Sequence, residues 1–232
     1  MVMKIDLHCH TIYSKNKLWG RDAFNTPKEM VKAAMKKGLD GLAITDHQTV
    51  KGSLVARDYI KRIGKRFLLI TGIEICTKDG EVIGLDIKED VRDDLSLEET
   101  IEKIHALGGI AIAVHPFAKH LFRKCVGDKA IKADAVEVFN ASCRGDSNPK
   151  ALELANKFKK PKVAGSDAHH VTDVGNAGII CDGDPISMIL KGKVEIFGKY
   201  NGIKSLVLLS GKKLARFFGC CTKEERSLKD WK

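Results

Sequence analysis

The sequence predicts a single α/β domain built as a closed or distorted TIM-like barrel. Short runs rich in Val, Ile and Leu recur along the chain, as buried strands do. Helical patterns with recognisable start and stop signals lie between them, which favours a parallel sheet with helical crossovers. About seven strands without a glycine-rich dinucleotide motif favour a closed or distorted barrel over an open, doubly wound sheet.

The strands are predicted from short apolar runs with strand-like composition. Val, Ile and Leu dominate each run, and turn residues or helical patterns separate one run from the next. In chain order these segments are 3–7, 40–45, 67–73, 81–87, 110–114, 135–139, 162–165 and 178–181.

Three helices are predicted from their capping signals. Segment 26–29 (Thr-Pro-Lys-Glu) offers an N-cap Thr, a Pro at the first helical position and a Glu at the third, and Gly38 ends this helix. Ser96 and Glu99 form a second capping box, and segment 148–149 (Asn-Pro) begins the third helix.

Length and composition favour one domain. The chain has 232 residues, of which 44% are hydrophobic, enough to bury one sizeable core. Residues 1–200 are assigned to the barrel. Residues 201–232 form a basic segment with apolar residues at helical spacing, predicted to pack on the barrel as a helix; contact with nucleic acid or a membrane surface is the alternative.

Charge and cysteine usage limit the partners and the compartment. The net charge of +10 favours anionic partners, nucleic acid included. No apolar run approaches the roughly 20 residues of a membrane span, and neither a transmembrane segment nor a signal peptide is predicted. The seven cysteines form no C-x-x-C pair, so we expect a reduced, cytoplasmic protein.

Metal-competent side chains follow five of the predicted strands. Because the carboxyl ends of parallel barrel strands emerge on one face, residues distant in sequence are expected to meet there. In chain order these residues are His8 and His10, His47, Glu74, His115, and Asp167 and His169.

The mixture of ligands indicates an open metal site. The His-x-His spacing of His8 and His10 sends both imidazoles to the same side of an extended segment. Imidazole with carboxylate suits Zn, Mn, Fe or Co, and no thiolate is expected near the cluster, which argues against a closed structural zinc site. A bridging carboxylate such as Glu74 would allow two ions about 3.5 to 4 Å apart.

These motifs, in this order, resemble those of the polymerase and histidinol phosphatase (PHP) family over nearly the whole chain to about residue 200. The resemblance implies a distorted (β/α)7 barrel that holds two or three divalent ions, Mn, Zn or Fe, and hydrolyses phosphate esters. The matching segments are DLHCHT at 6–11, GLAITDH at 41–47, GIEI at 72–75, HPF at 115–117, AVEVFN at 135–140 and AGSDAH at 164–169.

The resemblance also implies which residues hold each ion. The first ion would be held by His8, His10, Glu74 and Asp167. The second would share Glu74 and add His115. The third would be held by His47, His169 and Asp22, the carboxylate five residues before Pro27. Where many members have a His after the Glu motif, this chain has Glu81, which either binds metal through its carboxylate or is a surface residue beside a depleted second site.

The predicted reaction is phosphate ester hydrolysis by hydroxide bridging the first two ions. His47 and His169 are the predicted catalytic residues, which steady the leaving oxygen with the third ion. The predicted substrate-binding residues are Lys119, Arg123 and Arg144, on loops expected to open onto the same face.

Several functions remain open from the sequence. A phosphatase for nucleotides or other small phosphomonoesters is the leading hypothesis. A phosphodiesterase or exonuclease on oligonucleotides is the first alternative, favoured by the positive charge. A non-catalytic, metal-stabilised module that supports a polymerase or another partner is the second. A metal-dependent amide hydrolase would usually need a ligating Lys in mid-barrel, and no strand end supplies one.

Overall fold

The computed structural model describes residues 1–16, 20–118 and 124–202. Nine strands form one sheet in the order β11-β10-β1-β4-β5-β6-β7-β8-β9, and two short strands, β2 and β3, pair separately. In chain order the strands are β1 (Val2–Asp6), β2 (Lys15–Asn16), β3 (Gly20–Arg21), β4 (Gly41–Ile44), β5 (Leu68–Cys76), β6 (Glu81–Leu85), β7 (Ile110–Ala113), β8 (Ala135–Asn140), β9 (Lys162–Gly165), β10 (Ala177–Asp182) and β11 (Glu195–Gly198).

The predicted α/β barrel is confirmed as a nearly closed, distorted sheet. All eight predicted strands are present, with ends that differ by up to three residues. β1, β4 and β5 are parallel, as are β7, β8 and β9, but β6 is antiparallel to both of its neighbours. Because β5 and β6 are joined by a tight turn, the first residue of β6 lies at the same end of the barrel as the last residues of β5.

The sheet closes at the end where the predicted ligands lie. Cys9, just after β1, forms a parallel bridge with Ala168, just after β9. The backbone N–H of His10 donates to the carbonyl of Ala168 at 2.8 Å. Further along, β10 pairs antiparallel with β1, and β9 lies against both β10 and β11. The antiparallel strands β10 and β11 therefore distort the barrel from a regular parallel arrangement.

Helices connect most of the strands: α1 (Pro27–Lys36), α2 (Lys51–Ile63), α3 (Leu97–Ala106), α4 (Ser147–Lys157) and α5 (Pro185–Leu190), with a 3₁₀ helix at Gly127–Lys132. Both predicted capping boxes are present, Thr26 with Glu29 and Ser96 with Glu99. The three predicted helices are confirmed as α1, α3 and α4, whereas α2, α5, β2, β3 and β11 were not predicted. No described helix has both the length and the apolar composition that a membrane span requires.

Apolar side chains fill the space inside the sheet and beneath the helices. One buried cluster takes members from β1 and from each strand β4–β10, including Ile5, Ile83, Ile112 and Ile179. A second buried cluster packs α1 and α2 against the sheet, and a third packs α3 and α4 against it. The predicted helix at 201–232 lies almost wholly outside the described residues, and the domain assignment stays a prediction.

Candidate metal centre

All eight residues predicted to hold metal lie in one buried cluster at the end of the barrel where β1, β4, β5, β7 and β9 finish. The exposed fraction of the side chain is at most 9% for six of them and reaches 15% for Asp167 and 13% for His169. The cluster is therefore shielded from water except on the side of Asp167 and His169.

The Glu74 carboxylate lies at the centre of the cluster. Its Oε2 atom is 3.3 Å from the Nε2 atoms of His8 and His10 and 3.3 Å from Nδ1 of His47. Its Oε1 atom is 3.1 Å from Nε2 of His115. One carboxylate thus faces imidazoles on both sides, which is what a ligand shared between two ions requires.

The donors of the predicted first ion converge closely enough for one cation. The Nε2 atoms of His8 and His10 are 3.1 Å apart. Asp167 Oδ1 lies 3.6 Å from the first and 3.3 Å from the second. Imidazole nitrogens facing each other among carboxylates are typical of a metal site, since each offers a lone pair to the same point. The residues present therefore fit a bound divalent ion.

A second group of donors lies around Asp22, which the structure brings to the cluster as predicted. Oδ2 of Asp22 is 3.5 Å from Nε2 of His47 and 3.9 Å from Nε2 of His169. The other carboxylate oxygen of Asp22 is buried without a hydrogen-bond partner. Because a buried carboxylate oxygen without a partner is costly, this oxygen also fits a cation ligand.

Glu137 and Asn140 support the cluster, although neither was predicted to have an individual role. Glu137 Oε1 lies 2.9 Å from Nδ1 of His8, and its Oε2 accepts from the backbone N–H of His115 at 2.9 Å. The side-chain amide of Asn140 donates to Glu137 Oε2 at 2.9 Å and approaches Asp167 Oδ2 at 3.4 Å. A proton on Nδ1 of His8, held by Glu137, leaves the Nε2 lone pair for a metal. Their position in the AVEVFN motif at the end of β8 was the available signal.

Backbone strain is concentrated at the same place. Among the six described non-glycine residues with positive φ, His115 has φ 31° and Asp167 has φ 51°. Gln48, which follows His47, has φ 66°. Such conformations are unfavourable for residues with a Cβ atom and persist only where the surroundings enforce them. The barrel rim therefore holds two of the predicted ligands in strained backbone positions.

The electrostatics favour protonated histidines when no metal is bound. Burial lowers the pKa of His10, but hydrogen bonds to Asp167 and Glu74 outweigh burial and raise this pKa to about 10. Burial also lowers the pKa of His115. The hydrogen bond to Glu74 outweighs burial and raises this pKa to about 9. Burial raises the pKa of Glu74, but His47 and His8 outweigh it and hold this pKa well below its usual range. The carboxylates thus carry negative charge that protons or metal ions must balance.

Glu81 belongs to the cluster and is not a surface residue. Its side chain is 4% exposed, so the alternative that Glu81 is a surface residue beside a depleted second site is wrong. Oε1 of Glu81 lies 3.8 Å from Nδ1 of His47, and its Oε2 lies 4.0 Å from Nε2 of His115. The physical reason is the antiparallel direction of β6, which brings its first residue to the ligand face.

A thiol also lies at the cluster, contrary to the sequence-based expectation. Cys76 Sγ approaches Glu81 Oε1 at 3.4 Å, and both residues form a possible ligand group with His47. Cys76 is the last residue of β5, two positions after Glu74. The strand continues beyond the predicted end at 73, which is why the sequence did not place this thiol.

Of the three predicted substrate-binding residues, the structure describes only Arg144. Lys119 and Arg123 lie outside the described residues. Arg144 is exposed, and its guanidinium lies 4.9 Å over the ring of Tyr200 and donates to the carbonyl of Asn201. Their roles stay predictions.

Known proteins match this chain in sequence and in fold. Residues 6–114 match the family model described as the PHP domain, and residues 145–188 match the model described as PHP-associated. An uncharacterized protein of Methanocaldococcus jannaschii is 44% identical over 145 residues, which cover 60% of this chain and 82% of the relative.

Two relatives carry functional names. One named a probable phosphatase, from Caldicellulosiruptor bescii, is 28% identical over an alignment covering 85% of this chain and 95% of its own length. A 5'-3' exoribonuclease of Haemophilus influenzae is 39% identical over 77 residues, 33% of this chain and 25% of that enzyme.

The fold resembles a two-domain protein of Bacteroides vulgatus that contains a predicted PHP-like metal-dependent phosphoesterase. The TM-score is 0.66 at 15% identity, over 91% of this chain and 70% of that one.

Proposed function

This chain belongs to the PHP domain family of metal-dependent phosphoesterases, and from that premise we propose that it is a phosphatase for nucleotides or other small phosphate monoesters. The observation that carries the proposal is the Glu74 carboxylate, with imidazoles of His8, His10 and His47 beside one oxygen and His115 beside the other. Family membership favours an enzyme over a non-catalytic module.

We assign two or three divalent ions, Mn, Zn or Fe, to this cluster. His8, His10, Glu74 and Asp167 would hold the first, Glu74 and His115 would help to hold the second, and Asp22, His47 and His169 would hold the third. When bound, such ions lower the pKa of water and neutralise charge on the phosphoryl oxygens.

The protein's own residues orient the site. Glu137 holds Nδ1 of His8, and Ser14 Oγ lies 3.2 Å from Nδ1 of His10, so both rings are fixed with Nε2 toward the cluster. Asn140 restrains Glu137 and Asp167 together. His47 and His169 are proposed to stabilise the leaving oxygen, and His169, at the more exposed side, is placed to meet the substrate first.

A small substrate is supported by two features. Six of the eight proposed ligands are at most 9% exposed, so a phosphate group must enter from the side of Asp167 and His169. The relative named a probable phosphatase aligns over most of both chains. Lys119, Arg123 and Arg144 are proposed to bind the anionic part of the substrate.

A 5'-3' exonuclease on oligonucleotides is the second candidate. The exoribonuclease of Haemophilus influenzae supports it, although the match covers a third of this chain. The net charge of +10 also suits a polyanion. A terminal phosphodiester could enter by the same side of the cluster.

Phosphate release with Mn²⁺ from mononucleotides, sugar phosphates and short oligonucleotides tests the proposal. Native protein and His8→Ala are compared with His105→Ala, which alters a histidine exposed on α3 and paired with Asp134. We expect native protein and His105→Ala to release phosphate from monoesters and His8→Ala to lose this activity. Turnover of oligonucleotides alone, falling steeply as salt rises, would establish the exonuclease instead. Inactivity of folded, metal-loaded native protein on every substrate would reject both.

A further inference from the structure

Cys76, Glu74 and Glu81 lie on the same face of the β5–β6 hairpin. Glu74 and Cys76 are two residues apart in β5, and side chains alternate with a period of two along a strand. Cys76 and Glu81 are direct partners in the antiparallel register, so their side chains stand side by side. Because Glu74 faces the metal cluster, the thiol and the second carboxylate face it as well.

The distances around Cys76 suit a shared ion. Its Sγ is 3.4 Å from Glu81 Oε1, and Nδ1 of His47 is 3.8 Å from the same oxygen. One donor atom from each of the three residues lies within 4.8 Å of the other two. Tetrahedral zinc with ligands at about 2.0 to 2.3 Å implies separations between ligands of roughly 3.3 to 3.8 Å.

His47 gives independent evidence for a ligand at this place. The residue is 4% exposed, and its buried Nδ1 atom makes no hydrogen bond, although Oε2 of Glu74 lies 3.3 Å away and Oε1 of Glu81 lies 3.8 Å away. Buried polar atoms are almost always satisfied, so an unpartnered imidazole nitrogen directed at a carboxylate and a thiol points to a cation between them.

We propose that Cys76 is a thiolate ligand of a metal ion in this chain, together with Glu81 and Nδ1 of His47. The inference rests on the metal centre of the proposed function and adds a sulfur donor to it. When the ion binds, the S–H bond breaks, its proton passes to solvent and sulfur donates its electron pair to the metal. A neutral imidazole has one lone pair, so a His47 that binds this ion through Nδ1 leaves the third ion of the proposed function to Asp22 and His169.

The thiolate changes which metal the protein prefers. Thiolate is a soft ligand that selects zinc or iron, whereas a site of carboxylate and imidazole alone also accepts manganese. We therefore expect native protein to retain zinc against competing manganese more strongly than Cys76→Ser does.

Spectroscopy of the metal-loaded native protein tests the inference without relying on activity. We expect cobalt-substituted protein to show a near-ultraviolet sulfur-to-cobalt charge-transfer band, and X-ray absorption of the zinc form to show a sulfur scatterer at about 2.3 Å. Cys76→Ser should lose both signals. Cys143→Ser, which removes another buried thiol that belongs to none of the ligand groups, should keep them.

The outcomes separate this inference from the proposed function. Stoichiometric metal binding by native protein without a sulfur signal overturns the role of Cys76 and leaves the phosphatase proposal standing. A sulfur signal that persists in Cys76→Ser also overturns it. Failure of native protein to bind any divalent ion overturns both. If Cys76→Ser does not fold, X-ray absorption of the native zinc form decides alone.

Discussion

Glu137 connects several of the proposed ligands although it is not one of them. Its two carboxylate oxygens meet the His8 ring, the backbone N–H of His115 and the side chain of Asn140. The residue is 2% exposed, so water cannot replace these contacts. A carboxylate in this position fixes the ring orientation of a metal-binding histidine and increases its basicity.

Replacing Glu137 with Gln should weaken metal binding while the protein still folds. The amide keeps the size of the side chain but loses the charge that holds Nδ1–H of His8, and loss of such a partner typically costs about 10- to 100-fold in metal affinity. Zinc titration by calorimetry measures the change. Glu153→Gln, an exposed substitution on α4, is the matched control. Equal affinities for both variants and native protein would contradict the role of Glu137.

Metal binding should release protons and strengthen as pH rises. Burial lowers the pKa values of His10 and His115, but their carboxylate partners raise them to about 10 and about 9, so metal-free protein holds these protons at neutral pH. A metal must displace them, and the competition weakens as the pH approaches the raised values. Calorimetry in buffers of different ionisation enthalpy counts the protons released. Buffer-independent heats and a flat affinity between pH 6 and about 9 would disagree with this expectation.

At the scale of elements, the contact between β9 and β1 depends on glycine. A Cβ atom on Gly165 would lie 2.8 Å from Glu137 Oε1 and closer still to Cβ of His8. The missing side chain therefore lets β9 approach β1 where Asp167 and His8 must meet.

Gly165→Ala should disturb both stability and metal binding. The added methyl group collides with strand and carboxylate atoms that cannot move freely, and overpacking of this kind costs about 1 to 3 kcal/mol. Urea unfolding and zinc titration measure the two effects. Gly202→Ala serves as the control, because a Cβ atom there meets no atom of the described residues within 4 Å. Native-like zinc affinity in Gly165→Ala would show that the close approach is not needed at the site.

At the scale of the whole molecule, the metal cluster joins strands that lie far apart in the sequence. His8 and His10 follow β1, Glu74 lies in β5, and Asp167 follows β9, where the barrel closes. An ion bound to these residues links segments that are far apart in sequence. Unfolding separates the ligands, so the ion binds the native state in preference.

Removal of metal should therefore lower the stability of the entire fold. A ligand that binds only native protein, at a free concentration of 100 times Kd, raises the free energy of unfolding by about 2.7 kcal/mol. Urea unfolding with zinc and with a chelator measures this difference. Asp167→Ala should show a much smaller response. An unchanged midpoint on chelation, in protein shown to have contained metal, would argue against the linkage.

The sequence by itself determined the α/β barrel class, the eight predicted strands and three helices. Short apolar runs and capping signals are local, so they can be recognised without knowledge of the fold. The convergence of His8, His10, His47, Glu74, His115, Asp167 and His169 also followed from a single rule about strand ends.

Only the tertiary structure decided where the side chains of Glu81, Cys76 and Glu137 lie. The direction of β6 depends on how the β5–β6 hairpin pairs, and that pairing turned Glu81 inward and set Cys76 beside it. Glu137 meets His8 across 129 residues of sequence. Register and long-range side-chain contacts arise from packing of the complete barrel, so the AVEVFN motif marked the position of Glu137 but not its contacts.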